Sequence, residues 1–358
     1  MNVLIDGGLN KNGTGIASYT QYLADALVKQ GAAVSTEDFT PKGGKIRRRL
    51  SYLRYLNSRA YRKKLSRFDV VHYTNYAMPK KLPKGVVCAV TVHDLTAFAH
   101  PETLSRAYAL YNRRMVKRAL SRANIVFTVS KSIAAEIAAR FPWAKAKILP
   151  VYPGFYTDAA KSPAAHYENE ALQDLTPKKF FLAIGTVEHR KNLPELVKAY
   201  SAFVKENQGY ALVLAGGYGK GADAVFSAVE AAPDEADIRL PGFVSNADRA
   251  KLLAEATALV FPSIYEGFGS PQTEAMAAGI PLILSDIPTN REVSGNLALF
   301  YPVGDHDLLA KALEQTALGA HSANREACAN RLARFDWHHA ASEIFNAYKS
   351  AKEDTAAF

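Results

Sequence analysis

Along its 358 residues the chain repeats one grammar: a short apolar, strand-like run followed by a longer stretch with helical spacing. In the first half, strand-like runs stand at residues 3–5, 70–72, 86–92, 125–129 and 148–151, with helical patterns such as 19–30, 107–121 and 132–141 between them. The second half continues with strands expected at 180–184, 211–214, 238–240, 259–261, 281–284 and 297–300. Strands that alternate with helices pair in parallel, because each crossover helix returns the chain to run in the same direction. With 48% hydrophobic residues the chain is long enough for two such cores. The stretch from about residue 153 to 178 carries Pro153, Gly154, Pro163 and Pro177 with little apolar periodicity, and reads as a linker. It divides an N-terminal domain, 1–165, from a C-terminal one, 166–337. The expected fold is α/β: two Rossmann-like parallel-sheet domains facing each other across a cleft, with ligands at the carboxyl ends of the strands.

The densest chemistry follows the apolar run at 258–261. Tyr265-Glu266-Gly267-Phe268-Gly269-Ser270-Pro271-Gln272-Thr273-Glu274 sets two carboxylates on either side of seven residues that include two glycines. Gly267 and Gly269 permit a sharp turn and a close approach to a ligand. Ser270 reads as an N-cap and Pro271 as the first helical residue, so the unpaired N–H groups of the helix start suit a phosphate. A capping box from Ser270 would want Glu or Gln at 273, which is Thr273; Glu274 is thus left for another purpose, within reach of a hydroxyl-bearing ligand.

Further clusters fall at other strand ends. Gly13-Thr14-Gly15-Ile16 precedes the first helix and can present backbone N–H groups to phosphate. Gly185-Thr186-Val187-Glu188-His189-Arg190-Lys191-Asn192 ends the strand at 180–184, and Arg190 and Lys191 can neutralise a diphosphate. His93 and Asp94 end the strand at 86–92, Ser130 ends that at 125–129, and Gly242-Phe243-Val244 follows that at 238–240. A histidine is more often structural than catalytic, but a place at a strand's carboxyl end shifts the balance.

The segment from Tyr265 through Pro281 resembles the donor-site signature of the retaining glycosyltransferases of family four, which have the GT-B fold. The resemblance implies that Glu266 faces the donor sugar and Glu274 hydrogen-bonds the nucleotide ribose. It implies that the loop at Gly13 and Gly15 closes over the donor diphosphate and that Arg190 and Lys191 bind it. His93 would contact the sugar beside the reacting carbon, Asp94 would orient it or meet the acceptor, Ser130 would lie near the cleft, and Phe243 and Val244 would pack the base. Gly267, Phe268, Gly269 and Ser270 complete the donor loop. Two departures stand out: Ser270 replaces a usual aliphatic residue, and Thr186 stands where many members have Arg. A last helix, about 338–352, is expected to cross back onto the N-terminal domain. The variant around Arg190 and Lys191 resembles mannosyltransferases of bacterial surface-polysaccharide assembly, which suggests GDP-mannose as donor, with a UDP-hexose as the alternative.

Such a reaction moves a sugar from a nucleotide diphosphate to an acceptor hydroxyl while positive charge builds at the anomeric carbon. A double displacement through Glu266 stands as one route by analogy with retaining hydrolases. The resemblance implies instead a same-face attack in which the leaving phosphate takes the acceptor proton. No Asp-x-Asp element stands in the strand-end clusters read as donor-binding, so neither metal nor other cofactor is expected beyond the nucleotide sugar. The rivals within enzymes are a nucleotide-sugar epimerase and a phosphorylase.

Charge is uneven. Residues 1–160 hold 26 Lys+Arg against 9 Asp+Glu, a surplus of +17, and the remainder 18 against 25. Residues 45–67 concentrate it: Arg47, Arg48, Arg49, Arg54, Arg62, Lys63 and Lys64 alternate with leucines and tyrosines and no acid intervenes. As a helix this segment would suit an anionic membrane surface, and with it a polyprenyl-linked or other glycan acceptor. A basic nucleic-acid-binding protein is the rival of another class, and the diphosphate-ready acidic half speaks against it. Cys88 and Cys328 form no disulfide or zinc pattern, and the first apolar run carries Asp6, unlike a signal peptide. A cytoplasmic protein, peripheral on the inner face of the cell membrane, is expected.

Overall fold

Runs such as Val70–Tyr73 and Val87–Val92, buried at every position, are stable only where both faces of a sheet are covered, and the architecture provides this twice. A computed structural model describes residues 1–9, 15–37, 39–155 and 166–356. Strands β1 (Asn2–Asp6), β2 (Ala33–Thr36), β3 (Val70–Tyr73), β4 (Val87–Val92), β5 (Ile125–Thr128) and β6 (Ile148–Pro150) form one parallel sheet in the order β2-β1-β3-β4-β5-β6. Strands β7 (Phe180–Ile184), β8 (Ala211–Ala215), β9 (Asp237–Gly242), β10 (Ala258–Phe261), β11 (Leu282–Ser285) and β12 (Ala298–Tyr301) form a second, β12-β11-β10-β7-β8-β9. In each sheet the order reverses beside its first strand, between β1 and β3 and between β7 and β10. Loops on the two sides of such a reversal diverge and leave a crevice at the carboxyl edge.

The chain divides into two units, one of Met1–Ala99, Arg106–Gly154 and Phe335–Phe358, the other of His100–Ser105 and Phe155–Arg334. The dividing point lies at Gly154, earlier than residue 165. Much of the expected linker is in fact packed: Tyr167, Leu172 and Leu175 are buried, and the Tyr167 hydroxyl donates to Glu255 at 2.9 Å. The last helix, Trp337–Ala356, belongs to the first unit. Its Trp337 ring stacks on Tyr22 at 5.8 Å, and Gly154 passes so close that a Cβ there would stand 2.2 Å from the indole. Lys352 pairs with Asp69 at 2.7 Å.

Strand β2 escaped the periodicity reading because an edge strand of Ala, Val, Ser and Thr has little apolar signal. The basic segment is not one helix. It breaks at Asn57-Ser58 into Lys45–Leu56 and Arg59–Leu65, with the Ser58 hydroxyl capping the second. Its aromatic face is core: Tyr52 and Tyr61 are buried and donate to the two oxygens of Asp6 at 2.5 and 2.8 Å.

Tyr348 of the last helix meets His72 Nδ1 at 2.5 Å, and His72 Nε2 meets Thr91 at 2.7 Å. Burial pushes the imidazole down from 6.5 to about 3. A histidine held neutral in the fold but free to protonate when unfolded contributes stability that is complete above pH 6.5 and is lost as pH falls toward about 3. Thermal melts should therefore show a decline beginning below pH 6.5 that His72→Gln flattens. An equal decline in both proteins would exclude His72 as its source.

Candidate active site

In the second unit β7 and β10 are neighbours, so the loops leaving their carboxyl ends meet although their residues stand 75 apart in sequence. Gly185, at φ 143°, turns the chain out of β7 into a short 3-10 turn, His189–Lys191. Asn192, left-handed at φ 51°, then starts the helix Leu193–Val204. Leaving β10, the chain crosses to the helix Ser270–Ala278 through Gly269, left-handed at φ 85°. Gly269 is thus the cap and Ser270 the first helical residue, one position earlier than the sequence pattern suggests. Gly269 supplies no side-chain cap, and its missing Cβ lets it take the left-handed conformation.

The two loops are joined by a buried ion cluster. Glu266, 7% exposed, accepts from Arg190 Nη1 and Lys191 Nζ, each at 2.7 Å. Arg190 also donates to the Tyr265 carbonyl at 2.8 Å and pairs with Glu188 at 2.7 Å, while the Ile264 N–H donates to the Arg190 carbonyl at 3.0 Å. Lys191 lies 4.3 Å over the Phe261 ring. Burial alone would push the Glu266 carboxyl up, but Arg190 and Lys191 outweigh it and hold the group down to about 2. Burial draws Lys191 down from its ordinary value, and Glu266 opposes that. The Thr289 hydroxyl fixes the backbone of Glu266, donating to its carbonyl at 2.8 Å.

Around this cluster, Phe268 is buried, Gly267 lies in the same loop, and Thr186 is exposed, packed toward Gly219. Phe243 is 71% exposed at the end of β9, while Val244 turns inward. Glu274 is buried and bound by Arg249, Nε to Oε2 at 2.7 Å and Nη2 to Oε1 at 2.8 Å. Neither Arg249 nor Thr289 was found in the sequence. Both act across elements, on a helix with ordinary amphipathic spacing and at the start of another, with no local motif to mark them.

In the first unit His93 follows β4, and its Nε2 lies 2.9 Å from the Thr74 carbonyl. A carbonyl only accepts, so Nε2 carries the proton and the neutral ring keeps Nδ1 as an acceptor. Burial pushes His93 down, and Tyr19 packs edge-on at 4.8 Å. Asp94 accepts from the Thr96 N–H at 2.9 Å, starting a short helix. Ser130 caps the helix Lys131–Arg140, accepting from the Ile133 N–H, and is fully buried. Gly15 begins the helix Gly15–Lys29, while Gly13 lies outside the described residues. Glu266, Arg190 and Lys191 are therefore brought together, with Phe268 and Gly269 in the loop beside them. Glu274 pairs elsewhere on the same unit, and His93, Asp94, Ser130 and Gly15 belong to the other. Among the described residues no group of three or more His, Cys, Asp or Glu side chains is placed to hold a metal ion.

Of the basic segment, Arg47, Arg54, Arg62 and Lys63 are exposed, Arg48 is half-exposed, and Lys64 pairs with Glu37 at 3.0 Å. Arg49 lies over Tyr108 and Tyr111, 4.6 and 4.9 Å from their ring centres. Ile46 and Leu50, 79% and 52% exposed, share this surface. Among the described residues no helix is long and apolar enough to cross a membrane.

Residues 168–331 match the glycosyl transferases group 1 family, and residues 13–159 match Glycosyltransferase Family 4. The O-antigen chain mannosyltransferase B of Escherichia coli is 31% identical over 285 residues, 78% of this chain and 74% of that protein. The O-antigen chain mannosyltransferase RfbU of Salmonella typhimurium is 28% identical over 63% of this chain and 59% of its own length. Among solved structures, sucrose-phosphate synthase from Thermosynechococcus elongatus superposes with a TM-score of 0.73 at 20% identity, over 98% of both chains. The chain belongs to these glycosyltransferases and has their GT-B fold.

The turn at Gly269 gives a local test. A Cβ at this position would stand 2.4 Å from Nε2 of Gln272, which is buried and tied to Asn290 at 2.7 Å and so cannot move aside. Gly269→Ala should cost about 1–3 kcal/mol in urea unfolding. An unchanged midpoint would show that the loop relaxes freely.

Proposed function

We propose that this chain, a glycosyltransferase by family, is a retaining mannosyltransferase that moves mannose from GDP-mannose to a hydroxyl of a lipid-linked or oligosaccharide acceptor in surface-polysaccharide synthesis. The reading is carried by the buried Glu266–Arg190–Lys191 cluster at the sheet's reversal point, and its choice of sugar by the O-antigen mannosyltransferase relatives.

The departing diphosphate is the main electrostatic problem. Arg190, Lys191 and the N–H groups at the start of the helix Ser270–Ala278 stabilise its charge, with no metal required. Glu266 remains a carboxylate at neutral pH, so it does not serve as the acid. Two cations already hold its charge, which weakens it as a nucleophile and favours same-face attack with Glu266 orienting the sugar. His93 offers Nδ1 to a sugar or acceptor hydroxyl, and Asp94 stands beside it. Glu274 takes the ribose and Phe243 with Val244 the base. The protein works at the inner face of the cell membrane, with Ile46, Leu50, Arg47, Arg48, Arg54, Arg62 and Lys63 meeting anionic lipid.

In a buffer containing EDTA, a nucleotide-sugar panel read by thermal shift should give GDP-mannose the largest stabilisation, and GDP should be released only when an acceptor glycan is supplied. A larger shift with UDP-glucose would reassign the donor. Glu266→Ala should lower kcat about 100-fold with little change in GDP affinity, whereas Glu274→Ala should weaken GDP about tenfold. Equal GDP binding by wild type and Glu274→Ala would end the division of roles. For the membrane, Arg47→Glu with Arg48→Glu should abolish flotation with anionic liposomes; Arg49 is kept because it packs on tyrosines. Unaffected flotation would remove this surface as the docking site.

A further inference from the structure

Glu274 lies one turn into the helix Ser270–Ala278, and only 3% of it is exposed. Burying a carboxylate is costly unless its charge and lone pairs are matched. Arg249, from the helix Asn246–Glu255, matches both with a two-pronged contact, Nε to one oxygen at 2.7 Å and Nη2 to the other at 2.8 Å. The fork takes the inner lone pair of each oxygen, so the sites that remain point outward on opposite sides of the carboxylate. The Arg249 side chain is 30% exposed against 2% for its partner, so the cation stands on the solvent side of the pair.

The ground under Arg249 is itself fixed. Its neighbour Asp248, fully buried, accepts the backbone N–H groups of Glu168 at 2.7 Å and Asn169 at 3.1 Å. Ser245 caps the helix by accepting from the Asp248 N–H at 3.1 Å. Directly before this cap stand Val244 and the exposed Phe243. Arg249 thus links the loop after β9 to Glu274 through one rigid helical turn.

We propose that Arg249 is a positioning residue that holds the Glu274 carboxylate with the outer lone-pair site of one oxygen turned to the 2′-hydroxyl of a ribose, and thereby sets a preference for ribonucleotides over 2′-deoxyribonucleotides. The inference rests on the assignment of Glu274 to the ribose. A ligand without the 2′-hydroxyl leaves one buried oxygen unmatched, which is where discrimination arises. Without the guanidinium the carboxylate has no fixed orientation, and the 2′-hydroxyl loses its partner. An ion pair that merely joins two helices would have no such effect, because replacing it by apolar groups of similar size costs little and leaves ligand discrimination alone.

The experiment is calorimetric titration of the full chain with GDP and UDP, each against its 2′-deoxy counterpart, together with steady-state kinetics. Wild type should favour the ribonucleotide by about 10- to 100-fold. In Arg249→Met the ratio should collapse to within about threefold and the donor KM should rise about tenfold, while kcat at saturating donor stays within about threefold. Arg249→Lys, which keeps the charge but not the fork, should fall between, and it carries the comparison if Arg249→Met does not fold. The double variant Arg249→Met, Glu274→Gln, which leaves no uncompensated buried charge, should also have lost the preference. If Glu274→Gln loses the preference while Arg249→Met retains it, the ribose assignment stands and the role of Arg249 is wrong. If Glu274→Gln retains it, the ribose assignment fails and this inference falls with it.

Discussion

One buried carboxylate organises the second unit. Glu266 cannot lie 7% exposed beside the ends of β7 and β10 without compensation, and Arg190 and Lys191 supply it from the neighbouring loop. Each loop therefore depends on the other for its conformation. The carbonyl of Arg190 holds Ile264, its guanidinium holds the carbonyl of Tyr265, and Thr289 holds that of Glu266. The geometry that gathers the two cations at the strand ends is the same geometry that permits the carboxylate to be buried. Neutralising any member leaves charge stranded in a dry place, which is why such clusters respond to single substitutions more strongly than surface pairs do.

The first unit solves a related problem with neutral groups. His72 is kept uncharged between Tyr348 and Thr91, and Tyr19 approaches the same threonine at 3.3 Å while packing on His93. The last helix is thus tied by hydrogen bonding to the strand that ends at His93. Asp6 performs a similar service at the end of β1, receiving Tyr52, Tyr61 and the Gly8 N–H at 2.9 Å. Burial raises the Asp6 carboxyl even as those donors pull it down. Tyrosines that look in sequence like the apolar face of a surface helix are the anchors that fasten two basic helices to the sheet.

The legibility of these features in the sequence followed how local their causes are. Among the described residues, eleven of the twelve strands carry apolar runs that mark them; β2, short and at an edge, does not. Glu266, Arg190 and Lys191 were each visible because glycine-rich turns next to apolar runs announce a strand end. Their contact was not, since it depends on β7 and β10 being neighbours. The break at Asn57-Ser58 was hidden by a continuous basic and aromatic alternation, although Ser58 is the kind of residue that starts a helix. Ser130 stands at a strand end as its sequence position suggests, and there its hydroxyl also accepts from the Ile133 N–H as a helix cap. Arg249 had no signal at all.

By itself the sequence determined the parts: which segments are strands and helices, that they alternate and so pair in parallel, and which turns are glycine-rich with charge beside them. Those properties come from side-chain periodicity and backbone freedom, which act over a few residues. Only the tertiary structure decided which charges meet. Arg190 and Lys191 join Glu266, Arg249 takes Glu274, and Tyr52 with Tyr61 take Asp6, all over separations of 25 to 76 residues. Strand order is set by how whole helices and sheets bury their faces together, and a charge can be buried only where that order delivers a partner within hydrogen-bond reach.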